Sequence, residues 1–273
     1  MKSSRIESTF KKLFNQKKTA LIAFITAGYP NISISENIFS EIPKAGVDII
    51  ELGMPFSDPM ADGPAIQKSN QVAIKKGITL KKTLQMVKKF RKKDRKTPII
   101  LMGYYNPIFI FGKNKFLIAA KNAGVDGLIV VDLPPENDNE LCLPAKKIGI
   151  SFIRLATPTT DKKRFPSILK NTSGFIYYVS IKGITGTKKP NFVRLKKEVK
   201  ILKKSTNIPI AVGFGIKNSN DAKKISKFAD GVVVGSAITD IIRKNINKGL
   251  SKKNIATKVS NFTKNIAANM KGK

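Results

Sequence analysis

The sequence predicts a single domain, a (β/α)8 TIM barrel over residues 1–273 with an extra helix at each end. Short apolar runs alternate with longer amphipathic segments along the whole chain. Runs such as 127–131 and Gly231–Val234 are apolar throughout, as in strands that are covered on both faces. A helix between successive strands requires parallel pairing. Eight such units in about 250 residues are the usual size of one closed barrel.

Local signals place the elements in order along the chain. Segment 4–16 is predicted to be a helix, and its apolar residues share one face: Ile6, Phe10, Leu13 and Phe14. The helix over 33–44 opens with serines that can cap it. The predicted strands are 21–26, 49–52, 98–102, 127–131, 151–155, 175–179, 208–212 and 231–234. The other predicted helices are 67–76, 79–93, 113–122, 137–147, 162–171, 192–204 and 218–227, with a last barrel helix opening at 235–237 and a C-terminal helix after it.

Three connections that lead into strands resemble one another, which fits a cyclic scaffold. They are 45–48, 123–126 and 229–231, and in each a glycine can end the helix in a left-handed turn before the strand begins. An open doubly wound sheet is the alternative architecture, although it does not normally need eight such even units.

Composition narrows the possible chemistry. The chain of 273 residues contains no His and one Cys, Cys142. Zinc sites built on His are therefore excluded, as are Ser-His and Cys-His catalysis, which leaves carboxylates, Lys and Tyr to move protons. A single Cys cannot form an internal disulfide, and no His or Cys cluster could hold a metal ion.

The formal charge of +33 raises the question of a nucleic-acid partner. Lysine pairs recur along the whole chain between apolar positions at helical spacing, which indicates solvated helix faces. We therefore expect salt-sensitive, unspecific contact with polyanions and no specific nucleic-acid binding. The first apolar run, 20–25, is too short for a membrane span or a signal core, so we expect a cytoplasmic protein without a membrane segment.

The most informative stretch is 51–67, where an apolar strand ends at Glu51 and a long loop carries Asp62. Its prolines and glycines fix the shape of a loop without side-chain packing, and loops on a rigid scaffold concentrate function. Two carboxylates at the same end of the predicted barrel suggest acid and base chemistry. A strand-end ion pair and a turn aspartate are the structural alternative.

Glycine-rich turns follow the last three predicted strands, at 180–186, 213–216 and 235–237. Glycines there let backbone N–H groups approach an anion, and a helix start adds the positive end of its dipole. Phosphate is commonly held after the last strands of such a barrel. Together the turns suggest a phosphorylated small molecule whose far end reaches Glu51 and Asp62.

The residues 51–67, 183–186, 213–215 and 235–236 closely resemble the tryptophan synthase alpha subunit family. The resemblance implies a lyase of tryptophan biosynthesis that splits indole-3-glycerol phosphate into indole and glyceraldehyde 3-phosphate by retro-aldol cleavage. It also implies a partner beta subunit in an alpha2-beta2 heterotetramer. Pyridoxal phosphate is then expected only in that partner, and this chain needs no cofactor.

Carried over by position, Glu51 matches the catalytic acid and base of the family, and Asp62 matches the second catalytic carboxylate. The implied substrate-binding positions are Tyr177, Phe24, Tyr104, Ile129, Phe214, Thr185, Gly186, Gly213, Gly215, Gly235 and Ser236. Asp132 matches a residue linked to subunit communication, and a turn aspartate is its alternative. Ile181 stands where some members carry Arg, so a closed-loop contact of that Arg is not expected here.

Two other functions stay open from the sequence. Another barrel enzyme that acts on a phosphorylated metabolite could share the glycine turns and use different acids, and a basic binding protein without activity is a more distant alternative. The loop 182–190, rich in Gly, Thr and Lys, is a candidate lid over the phosphate.

Overall fold

The strands form a ring of parallel pairings. The structure, a computed structural model, describes residues 4–161, 163–179, 191–213 and 215–270. The strands in this part of the chain are β1 (Ala20–Thr26), β2 (Ile49–Gly53), β3 (Ile99–Gly103), β4 (Gly127–Val130), β5 (Ser151–Phe152), β6 (Arg154–Ala156), β7 (Ile176–Val179), β8 (Ile210–Gly213) and β9 (Gly231–Val234). Their order is β5-β4-β3-β2-β1-β9-β8-β7-β6.

The ring closes through a single residue, Ile153. Strand β5 pairs with β4, and β6 pairs with β7, so the segment that was predicted as one strand, 151–155, bridges the two ends of the sheet. The N–H of Ile153 still donates to the carbonyl of Leu128, at 2.9 Å. The predicted barrel is therefore confirmed, and the open sheet is excluded.

Helices surround the ring and close its ends. In the described residues they are α1 (Arg5–Asn15), α2 (Ile32–Glu41), α3 (Pro64–Lys75), α4 (Leu80–Arg91), α5 (Tyr105–Phe111), α6 (Lys113–Ala123), α7 (Cys142–Lys147), α8 (Phe165–Lys170), α9 (Phe192–Ser205), α10 (Ser219–Ser226), α11 (Ser236–Asn247) and α12 (Lys252–Asn269). Helices α1 and α12 are the predicted terminal additions. No helix among them is both long enough and apolar enough to span a membrane.

Proline explains most differences between predicted and observed helix ends. The predicted helix 137–147 is helical only from Cys142, because Pro144 in its first turn clashes with the carbonyl four residues earlier and stops the helix from extending backwards. Pro43 divides the predicted helix 33–44, and the chain continues as a 3-10 turn, Pro43–Ala45. Pro64 is the first residue of α3, which begins before the predicted start at 67.

Helix α5 was not expected from the sequence. It has only seven residues and shows no clear amphipathic period. Its first N–H, at Tyr105, is satisfied by the Asp132 side chain, whose Oδ1 accepts at 2.8 Å. A carboxylate from a neighbouring loop thus replaces a local cap, which a sequence pattern cannot reveal.

The structure has two apolar clusters, one inside the barrel and one between the strands and the surrounding helices. Because successive side chains of a strand point to opposite faces, Ile49 and Glu51 point inward while Ile50 and Leu52 pack against the helices. The inner cluster is continued at one end by α1, through Ile6, Phe10 and Leu13. The expectation that Phe14 shares this face is wrong, since the Phe14 side chain is 78% exposed. Phe14 is rotated by about 100° around the helix from the buried Leu13, so its side chain points outward.

Phe10→Ala is expected to lower the free energy of unfolding by about 3 kcal/mol, because Phe10 fills the end of the barrel and stacks near Phe175. Phe14→Ala on the same helix is the matched control and should change stability by less than about 0.5 kcal/mol. Urea unfolding of both variants measures the difference. Equal effects would show that α1 does not close the barrel.

Candidate active site

A cleft opens at the carboxyl ends of the strands and encloses about 530 Å³ of empty space, including its mouth. The predicted site residues that line it are Phe24, Glu51, Asp62, Tyr177, Gly215, Gly235 and Ser236. The barrel thus brings together residues that are separated by up to 212 positions in the chain.

Glu51 lies inside the barrel on β2 and is fully buried. Neither carboxylate oxygen has a hydrogen-bond partner among the described residues. Its register neighbours are apolar, Phe24 on β1 and Ile100 on β3. Burial, followed by the nearby charge of Asp62, raises the pKa of Glu51 to about 8. An unpaired buried carboxyl group costs stability, so its presence points to function.

Asp62 is held in the loop between β2 and α3 by several hydrogen bonds. Its own N–H donates to the carbonyl of Pro59 at 3.1 Å. Asn70 Nδ2 donates to Asp62 Oδ2 at 3.1 Å, and Gln67 Nε2 donates to the Asp62 carbonyl at 2.9 Å. Burial raises the pKa of Asp62 to about 6, and the hydrogen bonds from Asn70 and Tyr104 limit this rise.

The two carboxyl groups therefore differ in protonation at neutral pH. Glu51 keeps its proton, with a pKa of about 8, while Asp62 is ionised, with a pKa of about 6. One cleft thus presents a proton donor and a fixed negative charge at the same time, which is the usual arrangement for acid and base catalysis by two carboxyl groups.

Tyr177 stands beside the two acids on the inner face of β7. Burial and then the charges of Glu51 and Asp62 raise its pKa well above the usual value, so the phenol stays protonated. Gly213 makes room for the ring, since a Cβ at this position would lie 2.3 Å from Tyr177 Oη. Only glycine is compatible with this placement of the tyrosine.

The start of α11 also lines the cleft. Its cap residue is Gly235, no side chain caps the helix, and its first turn contains no acid. Gly215 lines the same cleft with φ of +79°, a conformation that favours glycine. Free N–H groups and the positive end of the helix dipole suit this corner for a phosphate.

The remaining predicted residues take other places. Tyr104 lies behind Asp62, and its Oη accepts the N–H of Ala61 at 3.0 Å. Ile129 belongs to the inner cluster, and Gly213 lies behind the Tyr177 ring. Asp132 is exposed and caps α5 outside the cleft. Phe214, Thr185 and Gly186 lie outside the described residues, as do Ile181, the turn 183–186 and the candidate lid 182–190.

Several residues of the site were missed from the sequence. Those that line the cleft are Gly63, Ile66, Met102, Ile216 and Val233. Met102 and Val233 could have been identified from the sequence, because every second side chain of a barrel strand points inward. Gln67 and Asn70, which hold Asp62, are three residues apart and share one face of α3, but nothing in the sequence says that this face meets the loop. Among the described residues no cluster of His, Cys, Asp and Glu side chains could hold a metal ion.

Comparison with known proteins identifies similar chains. The family model described as tryptophan synthase alpha chain matches residues 10–271. A crystal structure of tryptophan synthase subunit alpha from Legionella pneumophila strain Paris is 36% identical, with a TM-score of 0.90 and 98% of each chain covered. A structure from Aquifex aeolicus VF5 is 37% identical, with a TM-score of 0.89, over 99% of this chain and 100% of that one. Tryptophan synthase from Mycobacterium tuberculosis is 27% identical, with a TM-score of 0.88 and 100% of each chain covered.

The Glu51→Gln variant is expected to gain stability relative to the native chain as the pH rises. The difference between their free energies of unfolding should grow by about 1.4 kcal/mol per pH unit between about pH 5 and pH 7.5. Burial raises the pKa of Glu51 from 4.5 to about 8, so the folded chain keeps a proton that the unfolded chain releases. Native stability is therefore lost as the pH rises through this window, and Gln cannot titrate. Urea unfolding at several pH values tests this, and a difference that is independent of pH would contradict it.

Proposed function

Because the chain belongs to the tryptophan synthase alpha chain family, we propose that the cleft is its active site and that Glu51 and Asp62 carry the reaction. The chain is a lyase of tryptophan biosynthesis that cleaves indole-3-glycerol phosphate to indole and glyceraldehyde 3-phosphate. The observation that carries the proposal is the buried Glu51, which has no partner for its carboxylate among the described residues and faces a cleft that it shares with Asp62.

The reaction makes three demands on the site. A proton must reach C3 of the indole, a base must accept the proton of the side-chain hydroxyl, and the positive charge that arises at the ring nitrogen must be stabilised. Two carboxyl groups in opposite protonation states meet all three, since one gives and takes a proton while the other stays negative.

Protonated Glu51 gives its proton to indole C3, which makes that carbon tetrahedral and leaves the nitrogen cationic. The resulting carboxylate then takes the proton of the hydroxyl next to C3. The C–O bond becomes a carbonyl, the carbon–carbon bond breaks, and its electron pair returns to the ring and restores indole. Glu51 ends protonated, so the proton count closes over one turnover.

Ionised Asp62 is proposed to accept a hydrogen bond from the indole N–H. This bond strengthens as positive charge develops at the nitrogen, so it stabilises the transition state more than the ground state. Phe24 and Ile66 give the cleft apolar walls suited to the ring. Tyr177 stays protonated beside both acids and supports the orientation of the substrate.

The phosphate is proposed to bind at the start of α11, with Gly215, Gly235 and Ser236 around it. A binding site remote from the reacting bond positions the substrate without taking part in the chemistry. Thr185, Gly186 and Phe214 are proposed as further substrate contacts, and Gly213 and Ile129 as supports of the site.

A beta subunit is the proposed partner, in an alpha2-beta2 heterotetramer, with pyridoxal phosphate only in that subunit. The comparisons support this in that a structure of tryptophan synthase from Mycobacterium tuberculosis contains a chain similar to this one. Exposed apolar side chains near the cleft support a protein contact there, namely Met60 in the Asp62 loop and Phe109 and Ile110 on α5. We further propose that residues 1–273 act as one barrel domain in the cytoplasm, without specific nucleic-acid binding.

Glu51→Gln is expected to abolish the release of indole, a loss of at least about a thousandfold, because Gln can neither give nor take the proton. Asp62→Asn should lose about a hundredfold or more, since the amide carries no charge to offset the cationic nitrogen. Free indole is measured after incubation with indole-3-glycerol phosphate, with and without a beta subunit. Glu41→Gln, a change at the exposed end of α2, is the control. Native turnover by Glu51→Gln would remove Glu51 from the mechanism.

Ser236→Asp is expected to raise KM for indole-3-glycerol phosphate by about tenfold or more, because it places a negative charge where the phosphate binds. An acid in the first turn favours the helix itself, so folding should be kept. Ser219→Asp makes the same change at the start of α10, which does not line the cleft, and should leave KM unaltered. If both variants behave alike, the phosphate site lies elsewhere.

A further inference from the structure

Asn70 is the side chain on α3 that reaches the Asp62 carboxylate, although it does not line the cleft. It is 4% exposed, and its Nδ2 donates to Asp62 Oδ2 at 3.1 Å. Asn70 therefore lies behind the proposed catalytic acid, on the side away from the substrate. The proposed reaction assigns it no role.

The helix that carries Asn70 is fixed against the barrel wall. The neighbouring Ser69 is buried, and its Oγ lies 2.6 Å from Thr26 Oγ1 on β1. Ser69 Oγ also donates to the Ile66 carbonyl within α3, and Ile66 is part of the cleft wall. These contacts hold the first two turns of α3 against β1, which gives the Asn70 amide a defined position relative to the cleft.

An amide is well suited to hold an ionised carboxylate. An ionised carboxylate only accepts hydrogen bonds, whereas the Asn side chain supplies two N–H donors that do not titrate. The ionisable groups that face Asp62 are Glu51 from β2, Tyr104 after β3 and Tyr177 from β7. Of these, Tyr104 also hydrogen-bonds Asp62, while Glu51 adds like charge when it ionises.

We propose that Asn70 is a positioning residue, whose amide N–H holds Asp62 ionised and turns its other oxygen toward the indole N–H. This inference rests on the proposed role of Asp62. Asn70 and Gln67, the two residues of α3 that hydrogen-bond Asp62, then have different roles. Asn70 contacts the Asp62 carboxylate, whereas Gln67 contacts only the Asp62 backbone carbonyl. A group that holds a catalytic side chain in one orientation contributes to the rate without touching the substrate.

Loss of the Asn70 donor should make Asp62 easier to protonate, since hydrogen bonds to a charged group favour the charged form. The active form of the enzyme needs ionised Asp62. The acid limb of the pH profile of kcat/KM should therefore move to higher pH when the amide is removed, and the loss of activity should be largest at low pH.

The test measures kcat/KM for indole release from pH 5.5 to 8 in the full chain and in Asn70→Ala, Asn70→Leu and Gln67→Leu. We expect the acid limb of both Asn70 variants to rise by about one pH unit, which lowers kcat/KM by about eightfold at pH 5.5 and about threefold at pH 6.5, so that the loss nearly disappears at pH 8. Gln67→Leu is the matched control from the same helix. It should lower the rate by a similar factor at every pH, with no movement of the limb.

An equal loss at every pH in the Asn70 variants would overturn the inference and leave Asn70 a purely structural residue. Asn70→Leu keeps the branched shape and the number of side-chain heavy atoms of Asn without its donor, so the pair of variants separates the lost donor from a cavity, and circular dichroism checks that each is folded. If the two misfold, Asn70→Ser, which keeps a polar group in less volume, must show the same shift. Asp62→Asn in parallel separates this inference from the proposed function: if that variant keeps native activity, the role of Asp62 fails instead.

Discussion

The removal of Glu51 from water is the constraint on which the site depends. A carboxyl group among apolar neighbours, with no hydrogen-bond partner in the described residues, is costly to ionise, and its pKa rises to about 8. The same burial keeps a proton on Glu51 at neutral pH, and the proposed reaction delivers that proton to carbon. Asp62, less buried and supplied with hydrogen bonds, stays ionised. The cost in stability at Glu51 is thus the physical source of the chemistry proposed for it.

The barrel makes this arrangement possible because successive side chains of a strand alternate between its interior and the layer of helices outside. On β2, Glu51 points into the barrel, and the next residue, Leu52, packs against the helices. Glycine at position 213 then admits the Tyr177 ring beside the acids. The uncapped start of α11 supplies N–H groups to the same cleft, so that the proposed phosphate binding and the proposed chemistry use different elements of the barrel.

One network of ion pairs that serves stability lies at the other pole of the barrel. Asp126, at the start of β4, binds Arg5 of α1 at 2.7 Å and Arg91 of α4 at 2.6 Å, and its Oδ2 also accepts the Ile99 N–H. One carboxylate therefore joins two helices and a strand near the end that α1 closes. Its own hydrogen bonds are satisfied, in contrast to those of Glu51. This stabilising carboxylate and the two proposed catalytic ones thus occupy opposite ends of the strands, as is usual in this architecture.

The sequence by itself determined the barrel, the order of its strands and helices, and several residues that line the cleft. It could do so because strand and helix periodicity, turn glycines and the loop 51–67 are local patterns. Only the tertiary structure decided which groups hold Asp62, that Phe14 faces outward, and that a carboxylate from a distant loop begins α5. The anchors of Asp62 and the start of α5 depend on contacts between segments far apart in the chain. The pKa difference between the two acids is of the same kind, since burial and neighbours, not residue type, set it.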